Sequence, residues 1–135
     1  MKFETVQPGL TGEVRLVVGR EHTAQHLGSG SVEVFATPQM VLLMERAGVA
    51  AVDPLLPEGY RTVGGHLDVR HLAPTPVGFE VVATAELLEV DGRRLTFAVK
   101  AHDGVDPIGE GIHHRFIINV PEFAQRVAAK AERQK

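Results

Sequence analysis

Hydrophobic and polar residues alternate along much of this chain, and one further stretch is almost continuously apolar. Alternation at every second residue is typical of half-buried β-strands, and it occurs over residues 12–19, 62–71, 79–90 and 93–102. Residues 108–120 add a last long strand. The apolar stretch, residues 40–52, follows Thr37-Pro38, a pair that suits a helix start because Thr caps helices and Pro is favoured at their first position. We therefore predict five strands and one long helix, with Thr37 as its N-cap and its end at Asp53-Pro54.

The order of these elements predicts how they pack. The Asp-Gly pair at residues 91–92 joins two alternating stretches and is a strong hairpin signal. The helix is apolar on nearly every side, so we expect it to be buried. A terminal helix over residues 122–134 is expected to dock on the sheet through Phe123, Val127 and Ala131. The predicted fold class is α+β, an antiparallel sheet wrapped around one long buried helix, with edge strands that favour pairing of two copies.

Length and composition restrict the possible functions. The 135 residues, 44% of them hydrophobic, suit a single domain over residues 1–135 with one core. A formal net charge of −3 argues against nucleic-acid binding, which needs clustered Lys and Arg. The chain has no Cys, hence no disulfide and no thiolate nucleophile. No apolar run has the length of a signal peptide or membrane span, so we expect a cytoplasmic protein.

Glu45 stands out because its neighbours on the predicted helix are apolar or Gly. The residues three and four positions away are Val41, Leu42, Gly48 and Val49. A carboxylate in such surroundings must be paired, hydrogen-bonded or turned toward a cleft, because burying an isolated charge is too costly. From the residues alone two interpretations stay open: a catalytic carboxylate, or one at the helix edge that reaches solvent or pairs with an Arg.

His71 lies on the apolar face of its strand, at the end where residues 73–76 interrupt the strand with two prolines. Functional groups often lie where a strand opens onto a loop. The alternative is a core histidine whose ring donates to a backbone carbonyl. Thr37 has its structural role as N-cap, and nothing in its local sequence requires a catalytic one.

Seven histidines raise the question of a metal site. His113 and His114 are adjacent on a strand, so their rings point to opposite faces and cannot bind one ion together. His22 and His26 have the spacing of a two-histidine ligand pair, but no Glu follows His22 and their segment is weakly helical. We therefore predict no metal and no other cofactor. A Gly-x-Ser-x-Gly elbow and a P-loop are also missing from the sequence.

Three segments carry a resemblance to a known family. They are VFATPQMVLLME at residues 34–45, VRHLAPTPVG at 69–78 and AHDGVDPIGEG at 101–111. In this order and spacing they resemble the fluoroacetyl-CoA thioesterase-like branch of the hot-dog superfamily, over residues 12–120. The resemblance implies a hot-dog fold and hydrolysis of a small acyl-CoA or a related acyl thioester.

The resemblance also implies a site. The family's catalytic Thr, Glu and His fall on Thr37, Glu45 and His71, and two substrate-binding residues fall on Gly64 and Arg115. Glu45 is then the nucleophile or the general base on water, and His71 orients the carboxylate or delivers a proton to the leaving thiolate. The Gly64 N–H is expected to stabilise the developing oxyanion. The Arg115 side chain is expected to border the pocket.

Helix geometry adds a constraint. Thr37 and Glu45 are eight residues apart, about 12 Å along one helix, so their side chains cannot meet within one subunit. Either each touches a different part of the substrate, or the Thr that meets a given Glu comes from a partner chain. We expect the second arrangement, a composite site in a homodimer or a dimer of dimers.

Two positions differ from the family pattern in a way that concerns the substrate. Gly28 and Ser31 occupy the positions where the fluoroacetyl enzyme carries a lid of two phenylalanines, so we do not predict fluoroacetyl-CoA as the substrate.

One rival function is hydration of an enoyl-CoA, which usually pairs an Asp with a nearby His, and no such pair follows the helix. The other is a non-catalytic acyl-CoA-binding protein.

Overall fold

The predicted strands form one antiparallel sheet. In the computed structural model, which describes residues 3–134, they are β1 (Thr11–Val17), β2 (Tyr60–His71), β3 (Glu80–Asp91), β4 (Arg94–His102) and β5 (Pro107–Asn119). They lie in the order β1-β3-β4-β5-β2, so β1 and β2 are the edges. Each strand begins and ends within two residues of its predicted bounds. The predicted α+β architecture is confirmed.

The remaining elements are helical. They are α1 (Ala24–Leu27), α2 (Thr37–Val52), α3 (Val120–Arg133) and the 3₁₀ turns Arg20–His22 and Asp53–Leu55. Within residues 3–134, no helix is both long and apolar enough to cross a membrane.

Helix α2 packs against the sheet with one side only. Its buried residues are Met40, Leu43, Met44, Ala47, Gly48, Ala51 and Val52. On the other side Leu42 is 44% exposed and Arg46 and Ala50 are exposed. The prediction of a fully buried helix is therefore wrong for a single chain, because the sheet covers one face and nothing else in the described chain covers the opposite one.

Strand β2 contains a bulge that reverses its alternation. Its pairing with β5 steps from Gly64 to His66, so Gly65 is the extra residue. Strict alternation over residues 62–71, as predicted from the sequence, places Val63 and Gly65 on the face that carries His71. The bulge places Gly64 there instead, and Thr62 is buried. The prediction of the face is therefore wrong for residues 62–65.

The loop that follows β2 is fixed by a buried side-chain hydrogen bond. Thr75 donates to Oδ2 of Asp103 at 2.8 Å, and Oδ1 of Asp103 accepts from the backbone N–H groups of Val105 and Asp106. The carbonyl of Thr75 accepts from the N–H of Phe35 at 2.9 Å. These bonds hold the end of β2 beside the start of α2.

Helix α3 leaves the sheet after its first turn. Phe123 is partly buried, but Val127 is 54% exposed and Ala131 is exposed. The prediction that all three residues dock on the sheet is therefore wrong beyond Phe123.

Candidate active site

Thr37 and His71 are in direct contact. Thr37 is the first residue of α2 and Ala36 is the N-cap, with no side-chain capping bond, so the predicted capping role of Thr37 is wrong. Its Oγ1 lies 2.6 Å from Nδ1 of His71, at the C-terminal end of β2. A hydroxyl bonded to an imidazole is a common way to orient or activate a catalytic group. Thr37 and His71 are called the hydroxyl–imidazole pair below.

His71 is held in its neutral form. Burial lowers the pKa of its imidazole, because it disfavours the charged ring, and the backbone of Ala73 offsets part of this effect. Nε2 is buried and has no hydrogen-bond partner among the described residues. Buried polar atoms are rarely left in this condition. Nε2 is therefore suited to a hydrogen bond with a group of the substrate or of a second chain.

A cavity of about 420 Å³ adjoins the hydroxyl–imidazole pair. Apart from the pair, it is lined by Ala24, Ser29, Val34, Phe35, Leu72, Ala73 and Pro74. His71 is thus the one ionisable side chain in this lining. Gly28 and Ser31, which are close to Ser29 in the sequence, are exposed and contribute no large apolar side chain to the cavity. The cavity suits an uncharged acyl group.

Glu45 lies in a different neighbourhood. It is partly buried, and its carboxylate borders the backbone of Gly64 together with the side chains of His113 and Arg115. A Cβ added at Gly64 would lie 3.2 Å from Oε1 of Glu45 and 3.4 Å from Nη1 of Arg115. Three of the residues implied by the resemblance are therefore brought together on α2, β2 and β5. Glu45, Gly64 and Arg115 are called the carboxylate cluster below.

Within one chain the two groups remain apart. Thr37 and Glu45 belong to the same helix, and eight residues of helix separate them by about 12 Å along its axis. The hydroxyl–imidazole pair lies at the N-terminal end of α2, whereas the carboxylate cluster lies beyond its midpoint. A single chain holds the two halves of the implied site but does not join them.

Sequence reasoning missed a buried polar network behind the carboxylate cluster. Nε and Nη2 of Arg115 donate to the hydroxyl and the carbonyl of Thr62, at 2.8 and 3.0 Å. Thr62 in turn donates its hydroxyl and its N–H to Asp53, at 2.5 and 3.1 Å. Asp53 was interpreted only as the end of the helix, and the bulge concealed that Thr62 points inward. Because the inward position of Thr62 depends on the bulge, no local sequence pattern signalled this network.

His113 completes this network. It is fully buried, and its Nδ1 lies 2.8 Å from the carbonyl of His66 while its Nε2 lies 3.2 Å from Nη1 of Arg115. Since Arg can only donate, Nε2 is the acceptor and the proton sits on Nδ1. Burial lowers the pKa of His113, and the charge of Arg115 adds to this effect.

The other histidines do not form a ligand set. His113 faces α2 while His114 bonds to Thr96 on the outer face, so the prediction that their rings point apart is confirmed. His22 ends a 3₁₀ turn and His26 belongs to α1, so the two do not share one helix. Among residues 3–134 no group of three potential metal ligands comes together.

Comparisons with known proteins identify the family of the chain. The family described as fluoroacetyl-CoA-specific thioesterase matches residues 18–121. The fluoroacetyl-CoA thioesterase of Streptantibioticus cattleyicolor is 46% identical over 120 residues, which cover 84% of this chain and 86% of that protein. A variant of the fluoroacetyl-CoA-specific thioesterase FlK, in complex with fluoroacetate and CoA, has a TM-score of 0.82 and 43% identity, covering 87% of this chain and 99% of its own.

A more distant structure defines the fold. A hot-dog-like protein from Thermanaerovibrio acidaminovorans has a TM-score of 0.88 and 27% identity, covering 96% of this chain and 97% of that one. The predicted hot-dog fold is confirmed.

Proposed function

Because the chain belongs to the fluoroacetyl-CoA-specific thioesterase family, we propose that it hydrolyses the thioester of a small acyl-CoA in a site shared by two copies of the chain. Membership makes the chain a thioester hydrolase; the acyl group, the assembly and the residue roles are the proposal. The observation that carries it is the 2.6 Å contact between Thr37 and His71 beside an uncharged cavity. The cytoplasm, predicted from the sequence, is the location we propose for this reaction.

The proposed assembly is a homodimer that pairs the two β2 strands. Strand β2 is an edge of the sheet, and an edge offers unpaired backbone groups to another strand. Antiparallel self-pairing about a two-fold axis at Asp68 would pair Leu67 with Val69 of the other copy, and the extra residue at Gly65 would then set Gly64 of one copy opposite His71 of the other. Both residues face α2, because the bulge shifts the alternation between them. The hydroxyl–imidazole pair of one copy would then meet the carboxylate cluster of the other.

In this shared site Glu45 has the reactive role. As general base it removes a proton from water, whose oxygen attacks the thioester carbon; as nucleophile its carboxylate attacks that carbon and water later cleaves the mixed anhydride. Both routes consume one water and release a carboxylic acid and a thiol. In ¹⁸O-labelled water, label in the Glu45 carboxylate is diagnostic of the nucleophilic route, because it enters only when water attacks the glutamyl carbon of the anhydride.

The remaining residues act on the leaving sulfur and on the carbonyl oxygen. Thr37 fixes the imidazole of His71 through Nδ1, so that Nε2 is free to contact the carboxylate and to pass a proton to the sulfur as it leaves. The N–H of Gly64 and the guanidinium of Arg115 border the place where negative charge develops on the carbonyl oxygen. Preorganised donors at such a place typically lower the barrier by about 3–4 kcal/mol each.

A panel of acyl-CoA substrates tests the proposal. Thiol release, followed with a colorimetric thiol reagent, is expected from short uncharged acyl-CoAs with the wild-type chain. Consumption of an enoyl-CoA without thiol release would instead indicate a hydratase. Saturable binding of acyl-CoA with no turnover of any member would indicate a binding protein, and either result would contradict the proposed hydrolysis.

A further inference from the structure

The Arg115 guanidinium is buried, and three of its five N–H groups donate to partners other than Glu45. Arg115 is 6% exposed, and all three of its nitrogens donate hydrogen bonds, two of them to Thr62. Turning the guanidinium toward Glu45 would break the paired bonds to Thr62. In a buried site, such a loss leaves polar groups without partners and is costly.

Asp53 is the principal counter-charge of this Arg. Its carboxylate binds both the hydroxyl and the N–H of Thr62, which places it directly behind the guanidinium. Burial lowers the pKa of Arg115, while Asp53 and, less strongly, Glu45 raise it. The positive charge is therefore balanced more by Asp53 than by Glu45.

Glu45 and Arg115 nevertheless border the same small space. The Cβ position of Gly64 would lie 3.2 Å from Oε1 and 3.4 Å from Nη1. The ion pairs formed within residues 3–134 do not include one between these two side chains. A carboxylate bonded directly to a guanidinium is a weaker base and nucleophile, because the opposite charge stabilises its ionised form.

We propose that Asp53 and Thr62 are positioning residues, which anchor the Arg115 guanidinium so that it borders the Glu45 carboxylate without capturing it in an ion pair. This inference rests on the proposed reactive role of Glu45. The anchor leaves the Glu45 oxygens free for water or the thioester carbon. It also keeps the positive charge of Arg115 beside the carbonyl oxygen, where negative charge develops.

Three substitutions test the anchor. Asp53→Asn removes the counter-charge with little change of shape, and Thr62→Val removes the hydroxyl in the same way. We expect each to lower kcat by about 10- to 100-fold, with KM changed less than about threefold, because a misplaced catalytic group mainly slows the chemical step. Thr62→Ser keeps the hydroxyl and is expected to retain most of the wild-type kcat. Asp91→Asn is the matched control, since Asp91 is an exposed partner of Arg94 at 3.2 Å.

The structure of the Asp53→Asn variant supplies a second measurement. A crystal structure is expected to show a nitrogen of Arg115 within hydrogen-bond distance of Glu45. Wild-type kcat in Asp53→Asn or Thr62→Val, or equal losses in Thr62→Ser and Thr62→Val, would overturn the anchor. If Asp53→Asn does not fold, the comparison of Thr62→Val with Thr62→Ser still tests the anchor. Activity of Glu45→Gln is measured in parallel, because its retention would overturn the proposed reactive role of Glu45, whereas absence of thiol release from the wild-type chain would overturn the proposed hydrolysis itself.

Discussion

The hydroxyl of Thr37 and Nδ1 of His71 lie 2.6 Å apart, although 34 positions separate the two residues in the sequence. Replacing Thr37 by Val keeps the shape of the side chain and removes the bond, so the imidazole loses its fixed orientation. We expect kcat/KM for the best acyl-CoA to fall by about 10- to 100-fold in Thr37→Val. Thr37→Ser is expected to stay much closer to wild type. Equal losses in the two variants would show that the hydroxyl has no part in the reaction.

The carboxylate of Glu45 is expected to be indispensable. Glu45→Gln keeps the size of the side chain but removes the base or nucleophile, and such groups typically contribute about 10²- to 10⁴-fold. Thiol release should fall by a factor in this range while the thermal unfolding midpoint changes little. Glu89→Gln, the same substitution at an exposed position of β3, is the control and should behave as wild type. Undiminished turnover in Glu45→Gln would remove the mechanism.

Mixing inactive variants tests whether two chains share the site. If His71 of one copy works with Glu45 of the other, a mixed dimer of Glu45→Gln and His71→Asn chains contains one intact site. Random mixing makes about half of the dimers mixed, so about a quarter of the wild-type rate should return. Thr37→Val mixed with His71→Asn should recover almost nothing, because both residues belong to the same half-site. No recovery in the first mixture, once subunit exchange is verified, would place the whole site within one chain.

Patterns local to the chain predicted the framework of this fold. Alternation located each strand to within two residues, because the sheet buries one face of every strand. The bulge at Gly65 was not visible, since a register shift depends on the partner strand β5. The same shift hid the inward position of Thr62 and the contact between Gly64 and Glu45.

Contacts between residues distant in the sequence explain the other differences between the predicted and the observed roles of residues. Thr37 was interpreted as a cap, because Thr is favoured at the N-cap and Pro at the first helical position. The helix begins one residue earlier, and the hydroxyl reaches His71. Asp53 was recognised only as a helix end. Its bond to Thr62 depends on how β2 passes the end of α2, which no short stretch of sequence encodes.

The free energy of unfolding should be lower at mildly acidic pH than at pH 7.5. Burial lowers the pKa values of His71 and His113, so both are neutral when folded, while the unfolded chain takes up protons near pH 6.5. Their contribution to stability is then complete above about pH 6.5 and is lost as the pH falls below that value toward the folded pKa values. Urea unfolding at pH 7.5 and pH 5.5 should show a lower free energy of unfolding at the lower pH. His113→Gln should show a smaller difference; an unchanged one would contradict the assignment to His113.

Two glycines at the helix–sheet contact should differ in how they tolerate a methyl group. A Cβ at Gly12 would collide with the backbone carbonyl of Ala47 and lie 2.6 Å from the N of Ala51, so β1 or α2 would have to move. A Cβ at Gly109 would meet the flexible ends of Met40 and Met44, which can change rotamer. We expect Gly12→Ala to lower the free energy of unfolding by about 2–3 kcal/mol and Gly109→Ala by about 1 kcal/mol or less. Urea denaturation measures both, and a larger loss in Gly109→Ala would show that Met40 cannot yield.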